Sequence, residues 1–317
     1  MQLCLLHLDG ALKAQTAFME TCERSGARQI EAAGVGSEVR LWSKQAGLGR
    51  LREILSGHFS EAENTPQLCF MGSGDFHHVT ALLLPLALEK QSGPVTVIHF
   101  DNHPDWVNFE GGMHCGSWVN RALEHPQIVK VITIGVCSHD LRNPDWKGAN
   151  LSLLSLGLLE LFPYHHKPSK VQNDYGAGVS YQQKEKYIHW KTITDLGEQA
   201  FIQMLLPRIK TKNVYITIDK DVLSRDDAET NWDQGLMRLP FLLQCLREIG
   251  QHHAIIGADV NGDYSAPNYS GSAWTRIKKH AEILMDQPRC KPDMVKANTL
   301  NSVTNHALLK VLSGAMV

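Results

Sequence analysis

The sequence predicts an α/β protein built on a mainly parallel sheet, and three observations carry that expectation. Apolar, strand-like runs at 67–71, 95–100, 129–136, 214–218 and 254–258 alternate with stretches of helical periodicity, the pattern of right-handed β–α–β crossovers. The central runs are apolar at nearly every position rather than every second one, as in strands covered on both faces. Three of the runs end in Asp or His, at the sheet edge where open α/β folds bind ligands.

The chain is organised around residues 94–105, where the buried-strand run Val95 to Phe100 leads into Asp101-Asn102-His103-Pro104-Asp105. If the backbone stays extended, Asp101, His103 and Asp105 point to one side, because strand side chains alternate with period two. The same residues are also good turn formers. A second run, Val214 to Ile218, ends in Asp219-Lys220-Asp221, again two carboxylates two residues apart. A third, Gln67 to Met71, ends in Gly72-Ser73-Gly74-Asp75-Phe76-His77-His78 ahead of an apolar helix over 78–88. Four carboxylates gathered in one crevice would repel one another and raise each other's pKa unless cations lie among them. Hard oxygen donors with a minority of imidazoles suit Mn²⁺ better than a thiolate-seeking metal.

The remaining elements follow in order. Leu3 to Leu8 reads as a first strand and Leu48 to Leu55 as a helix. A Gly-containing loop, 106–113, leads to His114-Cys115-Gly116-Ser117-Trp118, with a helix starting near Ser117. Residues 138–192 break the rhythm and read as a long loop insertion, either surface decoration or a lid over the site. Helical periodicity returns at 198–209, at Leu242, Leu246 and Ile249, at Trp274, Ile277, Ala281 and Leu284, and at Val303, Ala307, Leu308 and Val311. No repeat or low-complexity linker divides the chain, so residues 1–317 are expected to form one domain.

Composition narrows the function classes. With 43% hydrophobic and 20% charged residues and a net charge of -2, the chain is an ordinary globular protein with no electrostatic case for nucleic acid or an anionic membrane surface. The N-terminus lacks a basic n-region and a cleavage site, and no apolar run approaches the roughly 18 residues of a membrane span. A cytoplasmic enzyme is expected. Cysteines 4, 22, 69, 115, 137, 245 and 290 are odd in number and form no Cys-x-x-Cys pair, so neither a disulfide framework nor a structural zinc site is indicated.

Taken together, these motifs resemble the arginase, agmatinase and formiminoglutamase superfamily, the ureohydrolases. That family carries a Gly-Gly-x-His before a helix, Asp-x-His-x-Asp after a strand, a downstream His-Gly segment and Asp-x-Asp after a later strand. Here the order is matched by His77 or His78, Asp101 to Asp105, His114, and Asp219 to Asp221. The paired histidines and the Asp-x-His-Pro-Asp form resemble a divergent branch that includes peptide arginases.

The resemblance implies a three-layer α/β/α sandwich and two Mn²⁺ ions at the sheet edge. Their ligands would be His78 (favoured, as the residue just before the helix) or His77, with Asp101, His103, Asp105, Asp219 and Asp221. Asp105 and Asp219, or their neighbours, would bridge. A hydroxide between the ions would hydrolyse a linear C–N bond in a guanidino, amidine or amide-like group, on a small-molecule or peptidyl substrate. His114 and Asp105 would be catalytic, His114 by shuttling protons or holding substrate. A homo-oligomer is compatible with the sequence.

One departure stands out. The family usually places a Glu three residues beyond an Asp after the strand at 254–258, to grip the guanidinium; here Gly262 occupies that place, next to Asp263. Asp263, Asn231 and Trp232 are the expected substrate contacts, and Trp106, Asn108 and Trp118 also fall near the ligand motifs, with core packing the alternative for Trp118. Three rival readings remain: a non-catalytic metal-binding protein on the same fold, a metallophosphoesterase, and a zinc deacetylase. The second would need its Asp-x-His before the Gly-Asp, and the third would leave Asp105 and Asp221 unused. No Gly-x-Ser-x-Gly or phosphate loop is present.

Overall fold

A computed structural model describes residues 1–59, 65–288 and 291–316. The first half of the chain runs β1 (Gln2–His7), α1 (Thr16–Arg24), β2 (Arg28–Glu31), α2 (Ala33–Val39), β3 (Trp42–Lys44), α3 (Gln45–Phe59), β4 (Gln67–Gly72), α4 (Thr80–Leu88), β5 (Val95–Phe100), β6 (Gly112–His114), α5 (Trp118–Leu123) and β7 (Ile128–Ile134). The second half runs α6 (Ser152–Ser155), β8 (Leu159–Phe162), β9 (Ser169–Lys170), β10 (Tyr181–Lys184), β11 (Tyr187–Trp190), α7 (Ile193–Leu196), α8 (Glu198–Leu205), β12 (Asn213–Asp219), α9 (Leu239–His252), β13 (Ala254–Asn261), α10 (Ala273–Asp286) and α11 (Met294–Ala315).

Eight strands form one sheet in the order β2-β1-β4-β13-β12-β5-β7-β8, with every neighbouring pair parallel. Alternate side chains of each central strand feed two separate cores. Cys69, Val97 and Tyr215 pack with α2 to α6 on one face, and Phe70, Ile98 and Ile216 pack with α1, α7, α8, α9 and α11 on the other. The result is the three-layer α/β/α sandwich that the resemblance implied. Strands β12 and β13 insert between β4 and β5, where the chain changes its direction of travel across the sheet, and the crevice opens at their carboxyl ends. Among the described residues no helix is long and apolar enough to cross a membrane.

Residues 138–192 are not a structureless loop. They hold α6, the sheet's edge strand β8 and a separate antiparallel sheet ordered β10-β11-β9. The polar composition misleads because β11 buries only Ile188 and Trp190, the alternation of a half-covered strand. Helix α10 shows the opposite surprise. Its apolar stripe faces solvent, with Trp274 66% and Ile277 58% exposed, while Lys279 and Glu282 turn inward to polar partners.

Candidate metal centre

Register brings the acidic strand ends together. In the β5–β12 ladder His99 lies opposite Thr217 and Phe100 opposite Ile218, so Asp101 and Asp219 leave the sheet side by side. Beyond them the backbone is not extended. Each Asp instead folds the chain back on itself, Asp101 Oδ1 accepting from His103 N at 2.5 Å and Asp219 Oδ1 from Asp221 N at 3.0 Å, the local turn that Asp side chains favour. Asp105 adopts the left-handed φ of +49° and accepts from Trp118 Nε1 at 2.7 Å. Convergence of Asp101, His103 and Asp105 therefore comes from turns, not from strand alternation.

Two overlapping groups of donor atoms result. His77, His99, Asp101 and Asp105 place one donor each within 4.8 Å of one another, and so do Asp101, His103 and Asp221. Asp101 belongs to both, whereas the resemblance implied that Asp105 and Asp219, or their neighbours, would bridge. In the first group His77 Nδ1 stands 2.9 Å from Asp101 Oδ2, 3.0 Å from Asp105 Oδ2 and 3.8 Å from Asp219 Oδ2. In the second, His103 Nδ1 stands 2.9 Å from Asp221 Oδ2 and 3.6 Å from Asp101 Oδ1.

The favoured His78 lies elsewhere. It is fully buried, joins neither group, and makes no hydrogen bond from either ring nitrogen. Burial first, then the neighbouring His114 and Lys279, lowers its pKa to about 3, a direction that favours the neutral ring. The short 3-10 turn Gly74–Val79 ahead of α4 swings His77, rather than its neighbour, over the strand ends.

The electrostatics are those of a cage lacking positive charge. Burial, followed by repulsion from Asp101, raises Asp219 to about 7 and pushes Asp221 up as well, where Asp219 is the larger repelling neighbour. Burial and Asp101 raise Asp105 too. Against its own burial, Asp101 is drawn well below the usual carboxylate range by His103, His77 and His99. These directions follow from carboxylates crowded into a buried crevice, an arrangement that a divalent cation would relieve. His77 Nδ1 fits such a cation independently: although close to two carboxylates, it makes no hydrogen bond, and its Nε2 is engaged by Thr217 Oγ1 at 2.9 Å. Space is kept as well, since a Cβ on Gly74 would lie 2.5 Å from Asp219 Oδ2.

Outer contacts hold these side chains. Thr217 passes its own hydroxyl to Asp259 at 2.7 Å, and Thr80 and Tyr215 donate to the same carboxylate. His103 Nε2 pairs with Asp233 Oδ1 at 2.8 Å, and His99 bridges Asp101 and Thr133. Asp75 ties the surrounding loops together, accepting from Arg40, Trp232 and Gln287. His99 and Asp233 escaped the sequence reading. The first has a signal, two residues before Asp101 on the same strand face; the second is one polar residue in a loop.

The donor groups open into a cavity of about 870 Å³ that also holds His114, Trp232, Asp233 and Glu282. Two of the three expected substrate contacts are spent elsewhere. Asp263 is 2% exposed and pairs with the fully buried Lys220, which also meets Asn305, so its carboxylate is neutralised inside the fold. Asn231 uses its amide on Ser73 and the Ser265 backbone, clamping two loops. Trp232 does line the cavity, its ring 5.6 Å from that of His103. Cys115, beside His114, is buried and its thiol is pushed up by that burial, which suits packing rather than nucleophilic attack. The described cysteines are all unpaired; Cys290 lies outside the described residues.

A profile of the arginase family matches residues 31–153. A protein of Thermotoga maritima, described as uncharacterized, is 25% identical over 259 residues, covering 82% of this chain and 78% of the relative. Solved structures share the fold. Arginase from Bacillus caldovelox superposes with TM-score 0.60 at 14% identity, covering 99% of each chain. Formimidoylglutamase from Bacillus subtilis gives 0.60 at 15% identity over 100% of this chain and 87% of its own. Arginase from Bacillus subtilis gives 0.57 at 15% identity over 98% of each.

Proposed function

We propose that this chain, which has the arginase fold and matches the arginase family over residues 31–153, is a divalent-metal hydrolase of the C–N bond in a guanidino or amidino group. The observation that carries the proposal is the pair of overlapping donor groups sharing Asp101. One ion would be held by His77, Asp101 and Asp105 with Asp219 beside them, the other by Asp101, His103 and Asp221. This donor chemistry best suits Mn²⁺. A one-metal reading, as in a zinc deacetylase, would leave Asp105 or Asp221 idle, whereas each sits in a group of its own.

A divalent pair in that place supplies Lewis acidity and an activated water. The chain's own residues do the rest. Thr217 and Asp259 fix His77 with Nδ1 toward the carboxylates, Asp233 fixes His103, and Trp118 fixes Asp105, since ligands hold their geometry through the groups behind them. The cavity volume lies toward the upper end of small-molecule sites, about 300 to 1,000 Å³. Leu236 and Met285 line it yet are 52% and 75% exposed. Both features favour a C–N group carried on a larger body, such as a peptidyl guanidine, over a free amino acid.

The test is urea and ammonia release from free and peptidyl guanidines and amidines, using protein purified without chelator and reloaded with Mn²⁺. Metal-dependent turnover that disappears in Asp101→Asn is expected. Full metal loading with no turnover on any member of the panel would instead support a non-catalytic, metal-binding role.

A further inference from the structure

The acidic residue expected after β13 is missing, and the structure shows why none can stand there. Gly262 has φ +94°, and a Cβ on it would lie 2.4 Å from Lys220 N and 2.5 Å from Asp219 Oδ1. Its neighbour Asp263 is consumed by Lys220. Outside the donor groups and the Asp219 beside them, four carboxylates among the described residues line the cavity: Asp140, Asp233, Glu282 and Asp286. Asp140 and Asp286 share the ammonium of Lys147, at 3.3 and 3.6 Å. Asp233 is taken by His103.

Among the described residues Glu282, like Asp233, pairs with no Lys or Arg, but unlike Asp233 it does not serve a residue of the donor groups. Its Oε1 faces His114 Nε2 at 2.5 Å and its Oε2 accepts from Trp42 Nε1 at 3.0 Å. Lys279, one turn earlier on α10, gives its ammonium to the Glu38 carbonyl and the Trp42 ring instead. His114 is committed too: its Nδ1 accepts from Gly116 N at 2.9 Å, which leaves Nε2 to donate to Glu282. Neither ring nitrogen of His114 is free to meet a substrate, while Glu282 keeps spare lone pairs at a side-chain exposure of 21%.

We propose that Glu282, delivered by α10 and held by Trp42 and His114, is the residue that receives the positively charged group of the substrate. This assignment rests on the functional reading above for the nature of that group, but it makes its own claim about cation binding. Its reach from the C-terminal part of the chain explains why Lys279 and Glu282 face inward while the apolar side of α10 faces solvent.

The test is calorimetric binding of Nα-acetyl-lysine methylamide and its neutral norleucine counterpart to the Mn²⁺-loaded protein. Neither probe has a guanidino bond to hydrolyse, so cation binding is read apart from turnover. The unaltered protein is expected to favour the lysine probe by about ten- to hundredfold, the worth of a hydrogen bond to a charged group. Glu282→Gln should bring the ratio close to one with metal content unchanged. Glu282→Asp should recover part of it, and Asp140→Asn should leave it intact. An unchanged ratio in Glu282→Gln, a loss of preference in Asp140→Asn, or no preference in the unaltered protein would each overturn the assignment. Absence of turnover alongside a Glu282-dependent preference would count against the hydrolase reading alone.

Discussion

Gly262→Ala is a small change with a large expected effect. The new Cβ would meet Lys220 N at 2.4 Å, Asp219 Oδ1 at 2.5 Å and Lys220 Cβ at 2.9 Å, two of the three being backbone or the first atom of a fixed side chain. The residue would also be held at φ +94°, a region that costs an L side chain about 1–3 kcal/mol. Overpacking adds about 1–3 kcal/mol, so the total is about 2–6 kcal/mol out of a typical stability of about 5–15 kcal/mol. Relief requires moving the Asp219 carboxylate or the Lys220 backbone, and both movements disturb the donor groups. Urea unfolding followed by circular dichroism, in chelator and again with Mn²⁺, measures the two consequences separately. We expect a lower midpoint in chelator and a smaller rise on adding metal. A variant within about 0.5 kcal/mol of the unaltered protein, the range of an ordinary surface change, would refute the steric explanation for the missing Glu.

Further expectations concern the histidines, the buried ion pair and pH. His77→Ala should lower bound Mn²⁺ in elemental analysis, whereas His78→Leu should keep it, because no hydrogen bond is lost from that ring; the reverse outcome would return the ligand role to His78. Lys220→Met should destabilise by about 3–5 kcal/mol by stranding the Asp263 carboxylate. Adding Asp263→Leu should recover much of that loss in urea unfolding, and a double variant no better than the single would show that the charge was not the problem. In metal-free protein Asp219 is raised to about 7, and His77 and His103 are raised too, the carboxylates beside them outweighing burial. These groups make the native state the greater proton holder, while His78, lowered from 6.5 to about 3, acts the opposite way below its ordinary value; stability in chelator should therefore fall as pH rises between about 6.5 and 8. Mn²⁺ should reverse the slope, since metal competes with protons for these donors; a flat or rising urea midpoint in chelator would contradict the charge-deficient cage.

Much of this site is legible in the linear chain because its ligands sit at strand ends. Apolar runs fixed β5 and β12 as central strands, and Asp-x-His-x-Asp and Asp-x-Asp placed five donor-type residues at one sheet edge. What was hidden depends on direction and on distance in sequence. Periodicity found the apolar stripe of α10 but could not say that it faces outward, because Glu282 and Lys279 are drawn in by Trp42, His114 and the Glu38 carbonyl. Adjacent His77 and His78 are distinguishable only once the 3-10 turn sets which of them overhangs the crevice. Asp263 looked available because its partner, Lys220, lies 43 residues earlier. Residues 138–192 looked like a loop because the strands inside them are short and, β8 apart, buried on one side only.

The most direct test is a crystal grown with Mn²⁺ and measured at the manganese absorption edge. Two anomalous peaks are predicted, one touching His77, Asp101 and Asp105 and the other touching Asp101, His103 and Asp221. A single peak, or none within reach of Asp101, would contradict the shared-carboxylate centre on which the proposed activity depends.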